Sequence, residues 1–309
     1  MRKYNFPDNK NFAFTIFDDT DNATIGKIKP LYDLLYNLGM KTTKSVWPIT
    51  VKRYNRFSGQ TLQDDDYLKF ILDLKQKGFE IALHSVGSGF YTREEILEGI
   101  EEFKRKLGEY PKVHANHSRN SDNIYGGHKK FSFPFNYLYK LYNKKEPQGE
   151  VVDSPCFWGD IHKKYIKYTR SHHFNDINTL RYDPYIPYTE KSKLKYSNFW
   201  FSSTNVQDVI SFNKIINKNT IDRLEKENGI CIVYTHLSGG FVGDSGYIDK
   251  NFKESMEYMS NKNGFYVPVS ELLDFILEQR YTENYEISYF QKLTLDFKFF
   301  LNNFISPVQ

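Results

Sequence analysis

Short apolar segments alternate with longer amphipathic segments along most of the chain. In the first pair, an apolar run at 11–17 precedes a stretch at 28–39 in which apolar residues recur every three or four positions before Gly39. These patterns are typical of a buried strand and of a helix packed along one face. The same order predicts strands at 41–49, 79–87, 112–118, 150–158 and 229–240, a candidate strand at 198–204, helices at 64–78, 92–108, 159–171, 205–229 and 252–264, and a last strand and helix within 264–279.

Alternating strands and helices favour parallel strands joined by right-handed crossovers. Seven or eight such units follow one another without a break in composition, so we expect an α/β fold, a (β/α) barrel, over residues 1–280. No GxGxxG motif follows the first strand, so a dinucleotide-binding fold has no support. The aromatic-rich residues 281–309 are expected to form a C-terminal extension packed on the barrel, with contact to a partner or a membrane surface as alternatives.

The composition narrows the class of protein. Of the 309 residues, 39% are hydrophobic and 26% are charged, as in soluble globular proteins. The net charge of +4 comes from lysines scattered beside glutamates rather than from a basic stripe, so nucleic acid is not an expected partner. Cys156 and Cys231 lie in apolar runs without CxxC spacing, and we expect them in the core rather than in a disulfide or a zinc site.

The apolar runs are short. None reaches the roughly 18 residues of a membrane span, and the polar N-terminal segment is followed by no signal-like apolar stretch. We therefore expect no integral membrane segment and a cytoplasmic location. The sequence leaves the oligomeric state open.

Titratable side chains follow several predicted strands where the apolar runs end: Asp18, Asp19, Asp21, His84, His114, His117, Asp153 and His236. In a (β/α) barrel the C-terminal strand ends meet on the face that carries active sites. A helix cap suits Asp21, but it leaves the repulsion between Asp18 and Asp19 unexplained. A cation or a raised pKa would relieve that repulsion. For His84 and His236, a core histidine bonded to backbone is the alternative to a site residue.

Four segments resemble the ordered motifs of the polysaccharide deacetylase family. IFDDT at 16–20 resembles the first motif, in which a strand ends in Phe-Asp-Asp, and LHS at 83–85 resembles the second, a His followed by Ser or Thr. VYTHL at 233–237 resembles the last motif, an apolar strand ending in His. GFYVPVSELLDFI at 264–276 is similar to the closing strand and helix of the family. The order and rough spacing agree from residue 11 to about residue 280.

The resemblance implies a distorted (β/α) barrel that removes acetyl groups from N-acetylated sugars with a divalent metal, for which we expect zinc. By the motif positions, Asp18 is the general base and His236 is the general acid. Asp19 and His84 are the metal ligands. Such a metal polarises the amide carbonyl and lowers the pKa of a bound water towards ~7, and the acid protonates the departing amine.

The sequence departs from the family pattern at the expected metal site. The second metal-binding His of the family falls on Ser88, and the Arg and Pro motif after the fourth strand is not evident in 113–123. His117 or His114 can supply the missing ligand. Side chains alternate along an extended strand, so one of the two points inward, and we favour His117, which is nearer the rim. Otherwise the metal keeps two protein ligands and more water, or is absent.

Other candidates follow from the same comparison. Arg119 is a candidate for the arginine that orients the base, and Asp153 or Asp160 for the carboxylate that orients His236. Trp158 is the candidate substrate-binding residue, because it can stack on a sugar ring, with a buried tryptophan as the alternative. We expect four further histidines at the surface or in structural roles: His128, His162, His172 and His173.

The leading hypothesis is a metal-dependent amidase of the deacetylase type, acting on an N-acetylated sugar or a glycan precursor. A second hypothesis keeps the fold and hydrolyses a small cyclic or linear amide without metal. A third, from another class, is a sugar-binding or scaffold protein that has lost catalysis.

Overall fold

A computed structural model describes residues 2–50, 57–118, 120–143 and 146–305. Its strands are β1 (Phe12–Asp18), β2 (Thr43–Val46), β3 (Glu80–Leu83), β4 (Val113–Ala115), β5 (Tyr168–Phe174), β6 (Phe199–Asn205), β7 (Ile230–Thr235) and β8 (Gly264–Phe265). Its α-helices are α1 (Ile25–Asn37), α2 (Asp65–Gln76), α3 (Arg93–Leu107), α4 (Phe135–Tyr142), α5 (Gly159–Tyr165), α6 (Thr179–Tyr182), α7 (Val209–Ile215), α8 (Lys218–Lys226), α9 (Lys250–Ser260), α10 (Val269–Gln279) and α11 (Tyr289–Phe300).

The strands form a parallel sheet that closes on itself. β1 pairs with β7 from Ala13 to Asp18, and its C-terminal end also pairs with β2, where Phe17 lies opposite Thr43. The ring from β1 to β7 is therefore a closed seven-stranded barrel. β8 joins the N-terminal end of β1, where Phe12 lies opposite Gly264. The predicted α/β barrel is confirmed, and its C-terminal strand ends lie on one face.

Side chains of β1 alternate between two apolar clusters. Phe14 and Ile16 belong to the cluster that contains the buried face of α1. Ala13 and Phe17 belong to a second cluster, together with Tyr234 of β7. This alternation follows from the pleat of the strand, and it fixes the side towards which each polar residue at the strand end points.

Helix α3 is capped at both of its ends. At the start of α3, Thr92 Oγ1 accepts from the Glu95 backbone N–H at 3.4 Å, and Glu95 accepts from the Thr92 N–H at 2.9 Å, so the two residues form a capping box. Gly108 ends this helix with φ of +84°, a left-handed conformation that favours glycine. Both cysteines are buried and free, as predicted.

Two predicted elements were wrong. Residues 150–158 form turns, and the fifth strand is Tyr168–Phe174, which the pattern had assigned to the end of a helix and an irregular segment. The reason is that β5 carries polar residues on both faces and so lacks an apolar run. The helix predicted over 205–229 is two helices, because the Asn217 side chain caps a new helix by accepting from the Thr220 N–H at 3.3 Å.

The C-terminal helix α11 packs against β5 and the segment before α4. Its Leu295 and Phe299 are buried in the second apolar cluster. The fully buried Asp296 accepts from the Ser132 backbone N–H at 2.7 Å and lies 2.8 Å from His172 Nε2. No helix in the described ranges is both long enough and apolar enough to cross a lipid bilayer.

Candidate active site

A cavity of about 730 Å³ opens at the C-terminal strand ends of the barrel. Residues that follow β1, β3, β4 and β7 line it together with residues of β5. Several of its lining side chains are ionisable, and they come from remote parts of the chain: Asp19, Asp21, His84, His117, Arg170 and His236. Five of the eight titratable residues expected at the strand ends line this cavity: Asp19, Asp21, His84, His117 and His236.

Three buried side chains converge on one point of this cavity. Asp21 Oδ1 lies 3.1 Å from His117 Nε2 and 3.6 Å from His84 Nε2. Within the described part of the chain, none of these three atoms makes a hydrogen bond of good geometry, and His84 Nε2 also lies 3.2 Å from Asp19 Oδ1. Buried polar atoms without hydrogen bonds are costly, and this group of three could hold a metal ion. Tetrahedral ligands about 2.0–2.1 Å from a zinc ion are ~3.3 Å apart, and the observed separations match that spacing.

The other ring nitrogens of the two histidines are fixed by acceptors. His84 Nδ1 donates to the Ala115 carbonyl at 3.1 Å, and His117 Nδ1 donates to Asn120 Oδ1 at 3.0 Å. Asn120 is itself held by a bond from its Nδ2 to the Gly87 carbonyl at 2.8 Å. With the proton on Nδ1, each Nε2 presents a lone pair to the cavity. This is the arrangement that surrounds histidines which bind metals.

Asp19 lies between this group and His236. Its Oδ2 is 3.2 Å from His236 Nε2 and accepts from the Tyr234 hydroxyl at 2.5 Å. Its Oδ1 accepts from the Asp21 backbone N–H at 3.0 Å. His236 Nδ1 donates to the Gln207 carbonyl at 3.0 Å, which turns Nε2 towards the acids. Asp19, Asp21 and His236 also form a second group close enough to share an ion.

The charges of the site set opposite protonation states on Asp19 and His236. Burial raises the pKa of Asp19, but His84 and His236 outweigh it and hold that pKa well below its ordinary value. Burial lowers the pKa of His236, but Asp19 and Asp21 outweigh this effect and raise the pKa to about 9. In the metal-free protein at neutral pH, Asp19 is therefore an anion and His236 a cation.

Asp18 points away from the cavity. Its Oδ2 lies 3.0 Å from Lys44 Nζ and accepts from the Tyr32 hydroxyl at 3.0 Å, while its Oδ1 accepts from the Leu237 N–H at 3.0 Å. All of these groups are buried. Lys44 is thus the cation that relieves the repulsion between Asp18 and Asp19. Asp18 does not line the cavity, whereas the motif positions predicted it as the base.

Trp158 is also outside the cavity. Its side chain is 1% exposed, its Nε1 donates to the Asp122 carbonyl at 2.6 Å, and its ring meets His114 edge-on. His114 lies beside His162 on that side, whereas His117 lines the cavity. Alternation along the strand predicted that only one of His114 and His117 points inward, and in the structure His117 is the one that lines the cavity.

The two carboxylates expected to orient His236 do not line the cavity. Asp153 is exposed, and Asp160 pairs with Arg93 at 2.7 Å, so a backbone carbonyl rather than either carboxylate holds His236. His172 and His173 lie on β5 instead of on a helix or loop, and His172 is buried. Arg119 lies outside the described residues.

Sequence reasoning missed three contributors to the cavity. Asp21 was assigned to helix capping, although its spacing of two residues from Asp19 places both on the same side of an extended segment. Arg170 was hidden because its strand was not predicted. Lys130 follows a region without clear periodicity, and no signal in the sequence marks it.

No family model and no curated protein matches the sequence. Solved structures do match. A protein described as a polysaccharide deacetylase from Mycobacterium smegmatis aligns over 93% of this chain and 97% of its own, with a TM-score of 0.54 and 10% identity. A protein from Pseudomonas aeruginosa with a similar description aligns over 90% of this chain and 95% of its own, with a TM-score of 0.53 and 10% identity. This chain has the polysaccharide deacetylase fold. The distorted barrel implied by the motifs is confirmed.

A chain with the polysaccharide deacetylase fold need not cleave an acetyl group. PuuE allantoinase also aligns, over 90% of this chain and 94% of its own, with a TM-score of 0.55 and 11% identity. At such identities the likeness establishes the fold, and the chemistry has to be argued from the side chains of the cavity.

Proposed function

We propose that this chain is a metal-dependent amide hydrolase that removes an acyl group from the nitrogen of a sugar or glycan precursor. The observation that carries the proposal is the convergence of three buried atoms: Asp21 Oδ1, His84 Nε2 and His117 Nε2. Two imidazoles and a carboxylate suit zinc, and these three residues would hold the ion.

A divalent ion held by these residues supplies polarisation of the amide carbonyl and a lower pKa for the attacking water. Asp19 is our candidate for the general base. It is ionised, lines the cavity beside the three ligands, and is held by the Tyr234 hydroxyl and the Asp21 N–H. Its carboxylate accepts a proton from the water as the water oxygen attacks the carbonyl carbon.

His236 is our candidate for the general acid. The Gln207 carbonyl fixes its Nδ1, so the protonated Nε2 faces the cavity. As the carbon–nitrogen bond breaks, Nε2 gives its proton to the nitrogen, which leaves as an amine while the acyl group leaves as a carboxylic acid. Asp19 then passes the proton that it took from the water to His236 Nε2, which lies 3.2 Å away, and both residues return to their starting states.

These assignments differ from those implied by the motif positions. We propose Asp19 in place of Asp18 as the base, and Asp21 in place of Asp19 as the metal ligand. The reason is geometric, because Asp18 is enclosed by Lys44 and Tyr32 whereas Asp19 and Asp21 line the cavity. His84, His117 and His236 keep the roles that the sequence suggested.

A second candidate is hydrolysis of a small cyclic amide without metal. The alignment with an allantoinase over most of both chains favours keeping it. Dialysis of the protein against a chelator separates the two: loss of turnover that zinc restores supports the metal-dependent proposal, and undiminished turnover supports the metal-free one.

Asp19→Asn and His236→Gln are expected to lower kcat by roughly 10²- to 10⁴-fold each, because each removes a proton-transfer group. The measurement is release of acetate from a panel of N-acetylated mono- and oligosaccharides by zinc-loaded protein. Asp160→Asn is the matched control, since Asp160 lies outside the cavity and pairs with Arg93. Full turnover by Asp19→Asn would contradict its role as the base.

A further inference from the structure

The wall of the cavity formed by β5 and the turn before α4 carries two cations. Arg170 lies on β5, and Lys130 ends the short 3₁₀ turn Gly127–Lys130. Lys130 Nζ donates to the Ser171 carbonyl at 3.3 Å, next in sequence to Arg170. Arg170 Nε donates to Ser203 Oγ at 2.8 Å. Both residues line the same cavity as the proposed metal ligands.

Neither cation has a carboxylate partner among the residues that the structure describes. Neighbouring lysines do, since Lys193 pairs with Glu190 at 2.8 Å and Lys292 pairs with Asp296. The other acid on this side of the cavity, Glu146, is held by Lys140. The nearby acids are therefore already paired, and within the described residues Lys130 and Arg170 line the cavity without an ion-pair partner.

A tyrosine links this wall to the catalytic group. The Arg170 guanidinium lies 3.4 Å from the centre of the Tyr234 ring, and the hydroxyl of that ring donates to Asp19. The cationic wall is thus about one aromatic ring away from the proposed base. A group bound at this wall would lie in the same cavity as the proposed base.

Placing two buried basic side chains together is unfavourable. Burial and the nearby Arg170 together lower the pKa of Lys130 to about 7. An anion bound between the two would offset that cost with charge-assisted hydrogen bonds, and a guanidinium suits carboxylate and phosphate groups in particular.

We propose that Lys130 and Arg170 form a subsite for an anionic group of the substrate. Resting on the proposed function, this narrows the substrate to an N-acylated sugar that carries a carboxylate or a phosphate. The two sources share the chemistry of a compact oxyanion, and separate probes distinguish them.

The test measures binding, so it does not depend on turnover. Calorimetric titration of the full chain compares three probes: neutral N-acetylglucosamine, N-acetylmuramic acid and N-acetylglucosamine 6-phosphate. At least one charged probe is expected to bind roughly 10- to 100-fold more tightly than the neutral sugar, which is the range for hydrogen bonds to charged groups. The stronger of the two charged probes identifies the carboxylate or the phosphate source.

Variants assign the preference to the wall. Lys130→Gln is expected to remove most of the preference for the charged probe, and Lys130→Arg is expected to retain it. Lys69→Gln makes the same change of net charge on α2, where the lysine side chain is 76% exposed, and should leave the preference intact. Thermal melting of each variant separates loss of the subsite from loss of the fold.

The outcomes separate this inference from the proposed function. Equal affinity for all three probes, or a preference that survives in folded Lys130→Gln, overturns the anionic subsite while leaving amide hydrolysis untouched. Preferential binding of a charged probe without hydrolysis of any N-acetylated sugar by zinc-loaded protein supports the subsite and contradicts the proposed function.

Discussion

Asp21→Asn is expected to abolish metal binding, whereas Asp19→Asn is expected to retain it. Asp21 Oδ1 faces the Nε2 atoms of His84 and His117, and an amide in its place removes the only negative charge of the three-ligand group. We expect zinc affinity to fall by more than the roughly 10- to 100-fold that loss of a partner behind the ligands costs. Metal content after dialysis, measured by mass spectrometry, and a zinc competition titration give the result.

The comparison of the two asparagine variants decides between the assignments. Both replace a buried acid in the same four-residue segment, so a general loss of structure would affect them alike. Retained metal in Asp21→Asn, together with loss in Asp19→Asn, would return the ligand role to the position implied by the family motif. Loss in neither would remove the three-ligand group from consideration as a metal site.

Lys44→Met is expected to destabilise the fold by roughly 3–5 kcal/mol, the range found when one partner of a buried ion pair is removed. Burial lowers the pKa of Lys44, but Asp18 raises it above its ordinary value, so the pair is charged in the native protein. Without Lys44, the Asp18 carboxylate keeps the Tyr32 and Leu237 bonds and loses its counter-charge. Urea unfolding followed by circular dichroism measures the difference.

The pH dependence of that deficit has a definite sign. Burial raises the pKa of Asp18, and the loss of Lys44 raises it more. The folded variant then binds a proton more tightly than the unfolded chain, whose carboxyl pKa is about 3.9. The unfolded chain titrates alike in both proteins, so the deficit should grow between the folded Asp18 pKa of the unmodified protein and the higher folded pKa of the variant, and level off above the latter.

A double variant supplies the control for this ion pair. Asp18→Asn/Lys44→Met removes both charges and should recover part of the stability lost in Lys44→Met. Equal stability of Lys44→Met and the unmodified protein would contradict a structural role for the pair. The proposed role of Asp19 as the base does not depend on this outcome, because Lys44 pairs with Asp18, whereas Asp19 is held by Tyr234 and the Asp21 N–H.

The barrel was predictable because its driving pattern is local. Apolar runs for strands and amphipathic spacing for helices recur along the chain, and caps such as Thr92 with Glu95 are visible in the sequence. The fifth strand was not predictable in this way. Its residues Arg170, His172 and His173 meet a cavity, a buried carboxylate and the final helix, and such polar neighbours appear only after the chain has folded.

The candidate site was predictable in its position but not in its register. Phe14 and Ile16 pack towards α1, so alternation sends Asp18 the same way, to Tyr32 of that helix and to Lys44. Asp19 takes the opposite side and enters the cavity. The motif indicated the segment that carries the acids. The side to which each acid points depends on which face of β1 packs against a helix and which faces the barrel interior.

The final helix has a practical consequence for anyone who shortens this chain. Asp296 is enclosed by Ser132, Lys292 and His172, and the last of these stands on the same strand as Arg170. Truncation before Tyr289 would remove the helix that covers this strand and would expose apolar side chains such as Phe131 to water. Inactivity of such a truncated protein would therefore reflect the loss of structure around β5, and it would not test the roles of the proton-transfer groups.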